Sequence, residues 1–388
     1  MAAEGSRHAL GSLRLSVNRC VARRLEARVQ ETGLFAMADR VALVIGPTGA
    51  TGTPITAALA RRTGWRVYGL SRTAPSACTS FTHIAADLTD LESCRRAVAS
   101  IEPVTHAFFA ARAPFREGGV EDVEGNVVML TAILDALSTH SDRLEHVHLL
   151  EGTKWYGMHL GPYPTPSRED DPRHSPPNFY YDQQDLLSAR AANARWSWSA
   201  SRPSYICDFA PERSRNLVPV LGAYAAICRE LNMPLDFPGT PAGYSVLSEL
   251  SDATYLAEAI VFISTHPTAR NAAFNVTNGD SFRWSRVWPL LAQWFEMPCG
   301  VPRPMKLAKW MEDKGPVWDK IVARHGLERR SLETIASWEF ADFVFEKEWD
   351  LLTDVGRLRR AGFNACVDTI AMLHSQLENY RDARLLPR

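Results

Sequence analysis

The stretch that most constrains this chain is Val41 to Gly52, VALVIGPTGATG. Its apolar run, Val41 to Ile45, reads as a buried strand that stops at Gly46. Gly49 and Gly52 follow at three-residue steps, and a helical segment, Thr53 to Arg62, begins at once. Strand, glycine-rich turn and helix in that order form the first half of a dinucleotide-binding unit. Gly46 permits the tight turn, Gly49 lets backbone N–H groups approach a pyrophosphate, and Gly52 lets the helix lie close on the strand. Thr48, Ala50 and Thr51 complete the expected cradle. The helix N-terminus adds partial positive charge and free N–H donors.

The same rhythm continues downstream. Arg66 to Leu70 reads as a second strand, ending at Ser71-Arg72. A dinucleotide extends its adenosine ribose to this point. An acid would hold the 2′-hydroxyl of NAD, whereas a base pairs with the 2′-phosphate of NADP. Arg72 is basic and no acid stands close by, so the expected cofactor is NADPH. The third strand, near Thr82 to Ala86, ends at Asp87-Leu88, where an adenine edge is expected. A helix over Asp90 to Ser100 leads to the strand Thr105 to Ala110, whose terminal Ala110-Ala111 are small enough to admit a nicotinamide ribose. A long helix, Val120 to Ser138, contains Asn126. Leu144 to Leu150 and Trp196 to Ser201 read as the fifth and sixth strands, the latter running into Arg202-Pro203. Alternating strands and helices predict an α/β fold, a Rossmann-type doubly wound parallel sheet with its chemistry at the strands' C-terminal ends.

The fifth strand runs into Glu151-Gly152-Thr153-Lys154-Trp155-Tyr156. A proline-rich loop follows (Pro162, Pro164, Pro166, Pro172, Pro176, Pro177). Then Asn178-Phe179-Tyr180-Tyr181 opens a helix through Ala194. A short-chain dehydrogenase normally places a tyrosine and a lysine four apart on one helical face, the lysine lowering the tyrosine's pKa. That pair is missing: Gln184 stands four after Tyr180, and Asp185 four after Tyr181. A tyrosine without a cationic neighbour keeps a pKa near ~10 and is a better hydrogen-bond donor than base. Lys154 is placed to supply charge from another direction.

With these residues the chain resembles the progesterone 5β-reductase and iridoid synthase-like family, a branch of the extended short-chain dehydrogenases. The family signature T-G-x-K-H-Y…G-P, then N-F-Y-Y-x-x-E-D, is matched by Gly152 to Tyr156, Gly161-Pro162 and Asn178 to Asp185. Arg202 to Pro211, Gly222 to Glu230, Ala273 to Trp284 and Gly315 to Leu327 are similar too, and the likeness spans most of Asp39 to Pro387. The stretch around Gly157-Met158-His159 looks like fungal and microbial members. The resemblance implies NADPH-dependent 1,4-reduction of the C=C bond of an enone or enal. Hydride goes to the β-carbon, and the developing enolate needs a donor. By correspondence Tyr180 is that donor, and Lys154 orients it. Both would also contact the cofactor, with Pro203 and Ile206. Three departures stand out. Glu151 replaces the usual Thr, Trp155 the usual His, and Asp208 a Gly. Glu151 is also placed to pair with Lys154. These departures leave open a carbonyl reductase, or an isomerase or cyclase that holds NADPH, and, outside enzymes, a non-catalytic NADPH sensor.

Beyond Asn216 the rhythm loosens. Leu221 to Leu231, Ser251 to Thr265, Trp284 to Phe295 and Trp310 to His325 read as helices, and Ala273 to Val276 as a seventh strand. Trp284, Trp288 and Trp294 recur at near-helical spacing, which signals core. Residues 37–215, completed by 245–280, are expected to form the NADPH-binding domain. Residues 216–244 and 281–388 form a mostly helical lobe for a small apolar substrate, with Glu151, Trp155, Tyr163, Tyr181, Asp208 and Phe343 at the pocket. Residues 1–36, with a basic amphipathic helix over Leu13 to Val29, read as a flexible extension before a start at Met37-Ala38-Asp39. A formal net charge of −1 argues against nucleic acid. No apolar run reaches the ~18 residues of a membrane span. The seven cysteines are scattered without a C-x-x-C pair, so no metal site is expected and a reducing, cytoplasmic setting fits. His106, His146 and His148 read as packed histidines. A second copy of the chain is a candidate partner.

Overall fold

The sheet that carries the glycine turn has seven strands, all parallel. In the computed structural model, residues 40–75, 80–117, 120–175 and 177–388 are described. The expected extension 1–36 with its helix Leu13 to Val29, the start at Met37-Ala38-Asp39, Cys20, Cys78 and Pro176 lie outside the described residues. In chain order the sheet elements and their helices are β1 (Arg40–Ile45), α1 (Gly52–Ala60), β2 (Trp65–Ser71), β3 (Thr82–Ala85), α2 (Leu91–Ala99), β4 (His106–Phe109), α3 (Val123–His140), β5 (His146–Leu150), α4 (Phe179–Ala192) and β6 (Ser197–Arg202). After α5 (Leu217–Glu230) and α6 (Ala253–Thr265) comes the last strand, β7 (Ala272–Asn275). The spatial order is β7-β6-β5-β4-β1-β2-β3. It reverses between β1 and β4, and in such sheets the crevice above that switch point takes the ligand. Helices cover both faces, so β1 is buried from Val41 to Ile45.

Side-chain caps set several helix starts. α3 begins at Val123, later than periodicity suggests, because Asp122 accepts the Gly125 N–H. α5 begins at Leu217, earlier than expected, because Asn216 accepts the Val218 N–H. Pro219 then falls in a first turn, where an N–H has no partner to lose. Two expectations change. Ser251 and Asp252 belong to a short strand, Leu250–Asp252, paired with Tyr205–Cys207, and Asp252 caps α6. After α7 (Trp284–Trp294), the helix expected over Trp310 to His325 is two: Leu307–Met311, then α8 (Gly315–His325). Pro316 opens the second because it has no N–H to continue the first.

A second core lies among α5, α7, α8, α9 (Trp338–Phe345) and α10 (Thr369–Asp382). Trp284 and Trp288 are buried in it and Trp294 packs against it, as the helical spacing suggested. Among the described residues no helix is long and apolar enough to cross a membrane.

Candidate functional site

The glycine turn has the form of a phosphate cradle. Gly46 has φ +82°, and a Cβ on it would lie 3.0 Å from the Ala111 nitrogen and 3.1 Å from the Ala110 carbonyl carbon. Gly46 thus lets the turn cross the end of β4, with Ala110 and Ala111 against it. A Cβ on Gly52 would sit 2.0 Å from the Gly46 oxygen, so α1 closes onto the turn only with glycine there. Gly49 is different: a Cβ would meet one atom within 4 Å, the Gly46 oxygen at 3.4 Å, leaving its outer side open. The N–H groups of Thr48, Ala50 and Thr51 have no hydrogen-bond partner among the described residues. Free N–H donors around an open glycine at a helix N-terminus fit a pyrophosphate.

Arg72 is exposed at the end of β2. Ser71 beside it donates its hydroxyl to the Thr73 carbonyl at 3.0 Å. Asp87 accepts the Thr89 N–H and hydroxyl at 2.9 and 2.8 Å. Those bonds hold its carboxyl below the usual range, with help from the Arg72 charge. The Leu88 side chain packs in the core.

Tyr180 and Lys154 come together through one asparagine. Asn178 caps α4 by accepting the Tyr180 N–H at 3.1 Å, and its amide donates to the Lys154 carbonyl at 3.0 Å. The same side chain therefore starts the tyrosine's helix and grips the lysine's turn. The Tyr180 hydroxyl packs over Gly152, where a Cβ would lie 3.2 Å from it. It makes no hydrogen bond among the described residues. Pro203 lies alongside, its carbonyl accepting the Thr153 N–H at 3.0 Å. Ile206, on the next short strand, packs partly buried under the sheet. Burial, then the carboxylate of Glu121, hold the Tyr180 hydroxyl well above its ordinary range, against the Arg112 cation.

Lys154 pairs with Glu121 at 2.8 Å. Nothing in the spacing pointed to Glu121, which precedes the lysine by 33 residues. The expected alternative pairing with Glu151 does not form. Glu151 instead accepts Arg202 Nε at 2.7 Å, their side chains 0% and 1% exposed. Burial raises the Glu151 carboxyl to about 7, opposed by Arg202. Glu151 is thus sealed beneath the site and does not line the expected pocket. Trp155 is likewise buried, with the Arg202 guanidinium 3.6 Å above its ring. Tyr181 donates to the Trp155 carbonyl at 2.6 Å and packs edge-on against its ring. These three form a packed floor, because a buried carboxylate draws the arginine inward and the arginine draws the aromatic rings.

Tyr163 is partly buried against that aromatic cluster and the second core. Asp208 pairs with Arg213 and accepts the Asn216 amide at 2.7 Å. Both flank a separate cavity of about 900 Å³ beside Thr48 and α1, away from Tyr180. Phe343 does reach the lysine: Lys154 Nζ lies 5.8 Å from its ring centre. Sequence reasoning missed Glu121, Arg112, Arg215 and Lys347, none of which belongs to the motifs. The helix-opening position of Asn178 was the one local signal available for its role.

Residues 80–387 match the family described as PRISE-like Rossmann-fold domain. The chain is 34% identical over 368 residues to an (S)-8-oxocitronellyl enol synthase of Camptotheca acuminata, covering 89% of this chain and 93% of that protein. It is 35% identical over 325 residues to one from Nepeta racemosa, covering 79% and 82%. Among solved structures, UDP-glucose 4-epimerase of Thermus thermophilus in complex with NAD superposes with a TM-score of 0.61 at 18% identity, over 88% of this chain and 99% of that one. That likeness concerns the fold. The chain is an enzyme of the nicotinamide-dependent oxidoreductase class and belongs to the PRISE-like Rossmann-fold family.

Proposed function

We propose that the protein catalyses NADPH-dependent 1,4-reduction of the C=C bond of an enone or enal. The observation that carries this reading is the Tyr180 hydroxyl, held protonated and without a hydrogen-bond partner among the described residues beside Lys154. When bound across the glycine turn, NADPH supplies the hydride. Tyr180 donates to the substrate's carbonyl oxygen, where negative charge develops as the β-carbon becomes saturated. Lys154 adds positive charge near that oxygen, and Glu121 and the Asn178 contact keep it in place. The free N–H groups of Thr48, Ala50 and Thr51 hold the pyrophosphate, and Arg72 pairs with the 2′-phosphate. An enol is the protonated form of the enolate this chemistry makes. The relatives' name, enol synthase, therefore supports release of an enol, or its onward cyclisation, as a second outcome of the same step. The five described cysteines are all free, which supports a reducing, cytoplasmic setting.

Labelled NADPH and a small enone test the reading. Deuterium at the β-carbon of a saturated ketone or enol is the expected result; an allylic alcohol would make the enzyme a carbonyl reductase. Tyr180→Phe is expected to lower kcat by about 10²–10³, the usual loss of one oxyanion donor, while Tyr181→Phe retains turnover. An unchanged preference for NADPH over NADH in Arg72→Ala would refute the phosphate role.

A further inference from the structure

The cleft beside Tyr180 carries more positive charge than reduction of a neutral enone requires. Four cations from separate segments lie against three aromatic rings, Phe115, Phe340 and Phe343. Lys154 Nζ lies 5.9 Å from the centre of the Phe115 ring and 5.8 Å from that of Phe343. Arg112 lies 3.8 Å over the same Phe115 ring and 4.0 Å from the Glu121 carboxylate that Lys154 already engages. Lys347 Nζ is 4.2 Å from the centre of the Phe343 ring, and the residue is only 4% exposed. Arg215 stacks 4.8 Å over Phe340. Phe340 and Phe343 both meet the Tyr205 ring edge-on.

The charges in this group act on one another. Arg215 is exposed; partial desolvation of its guanidinium and the nearby Arg112 cation lower it from its ordinary value, against the attraction of Glu121. Burial also lowers the Lys347 ammonium, with Lys306 and Lys154 adding to it and Glu346 opposing. Glu121 pairs with Lys154 and Arg112 and attracts Arg215 as well. Glu346, 43% exposed, is shared by Lys347 and Lys306. Arg215 makes no hydrogen bond or ion pair among the described residues. Cations gathered along one aromatic wall, Arg112 and Arg215 exposed and Lys347 buried, repel one another, and an anionic ligand relieves that repulsion. A guanidinium with no partner and a buried ammonium suit a planar carboxylate, which takes paired N–H donors.

We propose that the substrate's enone or enal bears a carboxylate, bound by Arg215 and Lys347 while Tyr180 meets its carbonyl. The enone half of this rests on the reductase reading above; the preference for an anion does not. Calorimetry on the protein saturated with NADP⁺ tests it, comparing 7-oxooctanoate with its methyl ester. The acid is expected to bind about tenfold more tightly, the contribution of one charge-assisted contact. The acid-to-ester ratio is expected to approach one in Arg215→Ala and in Lys347→Met. Should the buried Lys347→Met fail to fold, the exposed Arg215→Ala carries the test alone. A ratio near one in the wild type, or a ratio unchanged in Arg215→Ala, overturns the proposal. Parallel turnover of the enone acid 7-oxooct-5-enoate and its methyl ester separates the two readings. An ester reduced as well as its acid counts against the anion site alone. Selective acid binding with neither compound turned over counts against the reductase alone.

Discussion

At the scale of single residues, Glu151–Arg202 is the most deeply buried ion pair among the described residues. Both are buried, and Arg202 also donates to Gln184 and the Tyr156 hydroxyl, each at 3.1 Å. One Glu151 oxygen has no partner, so the pair is incompletely satisfied. Removing one member leaves a charge with nowhere to go, whereas removing both can be close to neutral. Arg202→Met is therefore expected to cost about 3–5 kcal/mol in denaturant unfolding, and Glu151→Met/Arg202→Met to recover most of it. Equal losses in the single and double variants would show that packing, not charge, dominates there. Lys154 and Glu121 are about one-fifth exposed, and their pairing serves position more than stability.

At the scale of elements, the start of α4 couples the segments that carry Lys154 and Tyr180. Asn178 caps the helix and holds the Lys154 carbonyl, and Tyr181 holds the next turn through the Trp155 carbonyl. Losing the cap costs about 1 kcal/mol of stability. Asn178→Ala should also lower kcat well beyond what that loss of folded protein explains, because Lys154 is no longer anchored to the helix that carries Tyr180. Steady-state kinetics alongside thermal unfolding checks this. A fall in Tm with kcat intact would reduce Asn178 to a cap alone. Tyr181→Phe, by contrast, removes a hydroxyl that donates to the Trp155 carbonyl and accepts the His174 N–H; it should lose about 1–3 kcal/mol and keep its kcat.

At the scale of the whole molecule, the sheet holds a polar seam. His146 bonds Ser197 and Ser199, and His148 bonds Ser199 and Ser201, at 2.8 to 3.0 Å. His106 stands beside His146, their ring centres 6.3 Å apart. Burial lowers all three: His106 to about 4, His148 to about 3 and His146 well below its ordinary value. The native protein keeps them neutral where the unfolded chain takes up protons. Their stabilising contribution is thus complete above about pH 6.5 and is lost as pH falls toward 4. Each contributes at most about 1.4 kcal/mol per pH unit. Glu151 and Glu249, raised by burial to about 7, act in the opposite sense between about pH 4.5 and 7. Comparing urea unfolding of the wild type and His148→Asn from pH 7 to 4 isolates one histidine. The variant should lose less stability on acidification, and parallel curves would exclude His148 from the effect.

Much of this molecule is local and could be read from the chain. The glycine turn is dictated by contacts among neighbours: a Cβ at Gly52 collides with the Gly46 oxygen six residues back, whatever the rest of the protein does. Strand and helix alternation implies the parallel sheet because a parallel crossover needs a covering helix. The asparagine before the paired tyrosines announces a helix start, and it places Tyr180 in that helix's first turn. What surrounds Tyr180 is not local. Glu121 reaches Lys154 across 33 residues, and Arg202 takes Glu151 across 51. Arg215 and Lys347 come from segments with no motif at all. Which carboxylate meets which cation depends on where the ends of β4, β5 and β6 and the helix α9 meet in space. It depends also on burial, which makes an unpaired charge costly and so selects its partner. Local sterics and hydrogen bonds made the cofactor turn legible in the sequence; only the tertiary structure decided the charge of the cleft.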